Sequence, residues 1–140
     1  MISDDSFDIA FSAVAFCWVQ DLHEVFQETR RILKNRGIFV FSTEYPIWVR
    51  LGDKPRDLII KTSYFKRTEL YKESSGITIE FYIPTFSDII NGLIETGFEM
   101  IKILEPEPVE EKFGSFVEEH IKEALKMVPA TIIIKTRKKV

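Results

Sequence analysis

Cysteine is nearly absent from this sequence: Cys17 is the one thiol in 140 residues. That excludes an internal disulfide framework and leaves too few thiolates for a cysteine zinc site, so a reducing cytoplasm is the expected compartment. Basic charge is not in excess either. With 19 Lys and Arg against 22 Asp and Glu, a net charge of −3, the chain lacks the positive surface that neutralises nucleic-acid phosphates, and no nucleic-acid partner is expected. Long apolar runs are also missing. None approaches the roughly 20 residues of a spanning helix, and the acidic opening is no signal peptide, so a chain neither secreted nor membrane-bound is expected. What is present suits one globular domain spanning 1–140: 45% apolar residues, twelve Phe, and 29% charged residues of mixed sign.

Residues 7–16, FDIAFSAVAF, are apolar almost throughout, as a parallel strand covered on both faces would be. Asp21 opens a helix, with Glu24 three residues on as in a capping box and apolar residues at Leu22, Val25, Phe26, Ile32 and Leu33. Gly37 is expected to close it in the left-handed conformation before a second strand over 38–43. Strand, helix and strand make a right-handed crossover, the first segment, 1–44.

The second segment, 45–84, begins with a stretch containing Pro and Gly to about Leu58, expected as a surface excursion. Two strand-like runs then flank Glu73-Ser-Ser-Gly76, predicting a hairpin beside or above the main sheet. In the third segment, 85–140, Thr85 and Asp88 start a helix with the stripe Ile89, Ile90, Leu93 and Ile94, and Gly97 ends it before a strand over 98–104. Phe113, Phe116, Val117, Ile121, Ala124, Leu125 and Val128 recur at helical spacing and predict an amphipathic helix over 113–128, stopped by Pro129. Residues 131–135 read as a last strand, and the basic run 135–139 as a solvated tail.

Three stretches resemble class I S-adenosylmethionine-dependent methyltransferases of the small-molecule, type 11-like kind. They are Asp4-Asp-Ser-Phe-Asp8 through Trp18-Val-Gln-Asp21, Thr29-Arg-Arg-Ile-Leu-Lys34 with Gly37-Ile-Phe-Val-Phe-Ser-Thr43, and Thr85-Phe-Ser-Asp88 to Gly97-Phe98 with Glu105-Pro106. The resemblance implies an α/β fold, a truncated Rossmann-like methyltransferase half. It would comprise strands four to seven with flanking helices and an inserted hairpin, in a mixed sheet whose last strand is antiparallel. It also implies S-adenosylmethionine as cofactor and a small-molecule methyl acceptor. Departures from the family are equally specific. The glycine-rich cofactor loop, the acidic residue for the ribose and the adenine contacts have no counterpart here, and Cys17 stands where His is common. Ile83-Pro-Thr85 replaces the family's His-Arg-Thr. The expectation is a truncated or split methyltransferase unable to methylate alone. The alternatives are a non-catalytic dimeric binding module derived from that fold and an unrelated α/β domain.

By the same resemblance the backbone at Ser12, Ala13 and Val14 faces the methionine part of the cofactor, although Ser12 also suits a crowded strand as a small residue. Glu44 and Tyr45 are candidate substrate residues because open α/β sheets bind ligands at the carboxyl ends of their strands, and a solvated strand end is the plainer reading. Tyr82 and Tyr64 are candidate pocket aromatics or simple packing. No catalytic residue and no metal ligand is assigned: Cys17 reads as an inert buried thiol, and His23 and His120 lack ligand-spaced partners. The edge of 7–16 would present unpaired amides and carbonyls beside an uncovered apolar face. A homodimer, or a complementary N-terminal-half chain, is therefore expected at that edge, with the 113–128 helix a candidate cover for the face.

Overall fold

The computed structural model describes residues 2–51, 58–72, 75–114 and 117–140. In chain order the elements are β1 (Phe7–Ala13), α1 (Leu22–Ile32), β2 (Leu33–Glu44), β3 (Thr68–Lys72), β4 (Thr78–Tyr82), α2 (Phe86–Glu95), β5 (Phe98–Leu104), α3 (Glu119–Leu125) and β6 (Thr131–Lys138). Four strands form one sheet in the order β1-β2-β6-β5, and β3 and β4 pair as a separate hairpin. β1 runs parallel to β2, and β6 lies antiparallel between β2 and β5. This is the expected mixed α/β sheet: a partial Rossmann-like fold with an inserted hairpin and an antiparallel last strand.

Period-two alternation places Phe39, Phe41 and Thr43 of β2 opposite Thr136, Ile134 and Ile132 of β6, all buried on one face. Helices α1 and α2 cover that face with Phe26, Ile89 and Leu93, each fully buried. Phe16, Phe26, Phe39 and Phe41 meet with ring centroids from 4.7 to 6.3 Å apart. Burying each such side chain contributes about 1.5–3 kcal/mol. The helix starts follow from local chemistry. Asp21 accepts from the Glu24 amide at 3.1 Å. At α2 the box is complete, the Asp88 amide donating to Thr85 Oγ1 at 3.2 Å and the Thr85 amide to Asp88 Oδ2 at 2.8 Å. Gly97, at φ 85°, ends α2 as expected.

Elsewhere the fold departs from the sequence reading. β1 stops at Ala13 rather than continuing to residue 16. Val14 turns to φ 46°, and a short 3-10 turn, Phe16–Trp18, swings Phe16 into the core. β1 is also an edge strand covered on one face, leaving Ile9 and Phe11 64% and 73% exposed. Gly37 does not close α1. The helix ends at Ile32, the pairing steps from Phe7–Leu33 to Ile9–Ile38, and Arg36 takes the left-handed position at φ 64°. Gly37 matters for space instead, because a Cβ there would lie 2.8 Å from the Lys34 carbonyl oxygen.

The helix expected over 113–128 shrinks to α3, since Glu118 at its start provides no side-chain cap and Phe113 and Gly114 are irregular. Phe116 lies outside the described residues, as do 73–74 of the hairpin turn. α3 does not cover the open face, where Ile9 and Phe11 remain exposed. The excursion after β2 is not all surface: Arg50 and Leu51 are buried. Lys138 leaves the expected solvated tail because β6 alternation continues to its end. Its ammonium is buried and donates to Asp5 Oδ1 at 2.7 Å and the Leu33 carbonyl at 2.6 Å. Among the described residues no helix is long and apolar enough to cross a membrane.

Candidate functional site

Parallel pairing brings the carboxyl ends of β1 and β2 side by side, with Ala13 opposite Ser42. The 3-10 turn after β1 carries Cys17, and the last residue of β2 is Glu44. The hairpin docks over both, setting Phe81 against Trp18 with the rings tilted by 41° and their centroids 4.8 Å apart. A second 3-10 turn, Trp48–Arg50, closes the far side. Between them lies a cleft of about 540 Å³ whose lining includes Cys17, Glu44, Trp48, Leu70, Phe81 and Tyr82. Two of the sequence-derived substrate candidates, Glu44 and Tyr82, thus share one cavity.

The electrostatics of the cleft argue against a nucleophilic thiol. Burial, the negative charge of Glu44 and a hydrogen bond to that carboxylate push the Cys17 thiol up to about 11, so it is neutral near pH 7. Thr43 Oγ1 donates to Glu44 Oε2 at 3.3 Å, a second neutral donor on the same carboxylate. The Tyr82 hydroxyl donates to Glu80 Oε2 at 2.9 Å, a bond that raises its pKa. Tyr45 lies outside the cleft lining. It packs against the core, and its hydroxyl bonds Glu105, which raises its pKa.

Arg50 is the residue that sequence reasoning missed. The residue is 1% exposed, and its guanidinium carbon lies 5.5 Å from the Tyr64 ring centroid. It donates to the carbonyls of Pro46 (3.0 Å), Tyr64 (2.9 Å), Lys66 (3.0 Å) and Ile83 (3.2 Å). Burial lowers its pKa, as expected for a cation stabilised by dipoles rather than a carboxylate in contact. One side chain therefore ties the excursion, the hairpin base and the segment entering α2 into a single wall. A lone cation inside the apolar run Ile47-Trp-Val-Arg-Leu51 was the available signal. Tyr64 belongs to the same wall, its hydroxyl accepting from the Phe86 amide at 3.0 Å.

Residues 1–41 match the family described as "Methyltransferase domain". The malonyl-[acyl-carrier protein] O-methyltransferase 1 of Coxiella burnetii is 46% identical over 44 residues, 31% of this chain and 16% of the relative. The malonyl-[acyl-carrier protein] O-methyltransferase of Methylovorus sp. is 29% identical over 93 residues, 66% of this chain and 26% of the relative. The crystal structure of a putative S-adenosylmethionine-dependent methyltransferase from Listeria monocytogenes superposes at a TM-score of 0.79 and 22% identity, covering 100% of this chain and 65% of that one. This chain has a partial S-adenosylmethionine methyltransferase-like fold. It spans less than two thirds of each of these proteins.

In this methyltransferase-like fold the cofactor candidates sit at the open edge. Ser12 is half-buried and pairs with Phe41, while Ala13 and Val14 face solvent and the Val14 amide donates to the Ser42 carbonyl at 3.0 Å. They offer one wall and no enclosure, so by themselves they do not fit a molecule the size of S-adenosylmethionine. His23 is exposed, its Nε2 2.9 Å from Gln27 Nε2. His120 is half-buried, with Nδ1 3.1 Å from Glu118 Oε2. Among the described residues no group of three His, Cys, Asp or Glu is arranged to hold a metal ion.

Proposed function

We propose that this chain is the substrate-side part of an S-adenosylmethionine-dependent methyltransferase, which receives a small methyl acceptor in the cleft and does not methylate alone. The observation that carries this is the place of the cleft, at the carboxyl ends of β1 and β2, where open α/β sheets bind ligands. Methyl transfer from a sulfonium to a reactive nucleophile depends chiefly on alignment, so a site that grips the acceptor but not the cofactor lacks its main source of rate.

The missing wall is supplied by whatever pairs with β1. An unpaired edge beside exposed Ile9 and Phe11 is a template for another strand, and its occupant is a second copy of this chain or a chain bearing the complementary half. The single thiol and the absence of basic excess support a cytoplasmic setting without nucleic acid. Solvent exposure of Ala13 and Val14 also supports a second reading, a dimeric binding module that uses the cleft without any cofactor.

Two measurements test the first reading. Calorimetry of the chain with S-adenosylmethionine should show no micromolar binding, and sedimentation at micromolar concentration should show a dimer or larger species. A stable monomer that binds the cofactor at micromolar concentration overturns the proposal.

A further inference from the structure

The same cleft carries information about the charge of its ligand, an inference that rests on the substrate-site reading above. Its walls are apolar where Trp48, Leu70 and Phe81 stand, and among the described residues that line it none is Lys, Arg or His. Two carboxylates line it. Glu69 is already matched, with Lys66 Nζ 2.8 Å from its Oε2. Glu44 is not: among the described residues its partners are the Thr43 hydroxyl and the Cys17 thiol, both neutral donors. The cation behind the wall, Arg50, is 1% exposed, and its Nη atoms are spent on four carbonyls, so no ligand anion reaches it.

We propose that the cleft selects an apolar amine, held as a cation with its nitrogen against Glu44 and its hydrocarbon body between Trp48 and Phe81. A hydrogen bond from an ammonium to a carboxylate is roughly twice as strong as a neutral one. A carboxylic acid of the same shape would instead bring a second negative charge beside half-buried Glu44 with no described cation to balance it. This departs from the malonyl substrate in the names of the matched relatives.

The test is a charge series on the unmodified full chain, measured by calorimetry and followed also by tryptophan fluorescence, to which Trp48 in the wall and Trp18 against Phe81 both contribute. The probes are phenethylamine, phenethyl alcohol and hydrocinnamate near neutral pH and low salt. The amine should bind about tenfold more tightly than the alcohol, and the acid more weakly than either; tenfold is about 1.4 kcal/mol. Glu44→Gln should bring the amine down to the affinity of the alcohol and leave the alcohol unchanged, with circular dichroism confirming the fold. Should that variant not fold, the charge series on the unmodified chain decides alone. An acid or alcohol that binds as tightly as the amine overturns the inference while the cleft stands as a substrate site. If none of the three binds at millimolar concentration, the substrate-site reading falls and the inference with it.

Discussion

Arg50→Met should lower the stability of the chain by about 2 kcal/mol, and the structure supplies the terms. The guanidinium reaches four carbonyls, of which those of Pro46 and Ile83 are engaged in buried hydrogen bonds. Each buried acceptor left without a donor costs about 1–3 kcal/mol, so these two together lose roughly 2–6 kcal/mol. The carbonyls of Tyr64 and Lys66 are only part-buried and can turn to water. Opposing this, Met removes a buried cation whose desolvation costs several kcal/mol, and it keeps the packing of an unbranched stem. At a urea dependence of about 1–3 kcal/mol per molar, a net loss near 2 kcal/mol lowers the unfolding midpoint by about 1 M. Circular dichroism in urea measures it, at one protein concentration because association shifts apparent stability. Arg50→Lys should lose about half as much, since a point charge cannot span what a planar fork spans. A midpoint for Arg50→Met at or above that of the parent would refute the reasoning, because desolvation of the cation would then outweigh all four of its bonds.

Phe11→Glu, at a position 73% exposed, should weaken self-association at least about tenfold in sedimentation and leave the urea midpoint nearly unchanged at dilutions where both chains are monomeric, and unaltered association would exclude the β1 edge as the interface. Thr85→Ala removes half of the capping box and should cost about 1–2 kcal/mol in the same urea assay. Burial alone would raise the Asp88 carboxyl, but hydrogen bonds from Thr85 and the Arg67 charge hold it below the usual carboxylate range. Asp88 therefore adds stability above the unfolded carboxylate range and loses it as pH falls through its folded value, and Thr85→Ala should flatten that acid limb. Because burial, ahead of Glu44, raises the Cys17 thiol to about 11, labelling by an aromatic disulfide should be slow at neutral pH, rise toward pH 11 and be faster in Glu44→Gln; rapid neutral labelling would contradict the cleft geometry. That thiol keeps its proton to about 11 against 9.0 for an ordinary one, so the stability it lends is complete below pH 9 and falls as pH rises across that window.

Much of the fold was legible in the sequence because it rests on local chemistry. The Thr85 and Asp88 cap, the left-handed Gly97, the bounds of β5 and the apolar run of β1 each depend on neighbours within a few residues. Local pattern also misled where tertiary partners were needed. Helical spacing over 113–128 counted apolar residues without a cap to start a helix at its head, and α3 is short. Strand alternation states that Glu44 and Tyr45 point opposite ways. Only the packing of the hairpin and the Trp48 turn decides that Glu44 faces the cleft with Cys17 and Tyr82 while Tyr45 turns to Glu105. Arg50 and Lys138 make the same point for charge. Composition assigns both to solvent, yet Arg50 is buried by carbonyls as distant in sequence as Ile83, and Lys138 by Asp5 and the Leu33 carbonyl. The sequence by itself determined where most strands and the two capped helices begin, through periodicity and capping. Tertiary structure decided which polar groups leave water, because the partners that offset their desolvation come together only when distant segments fold against one another.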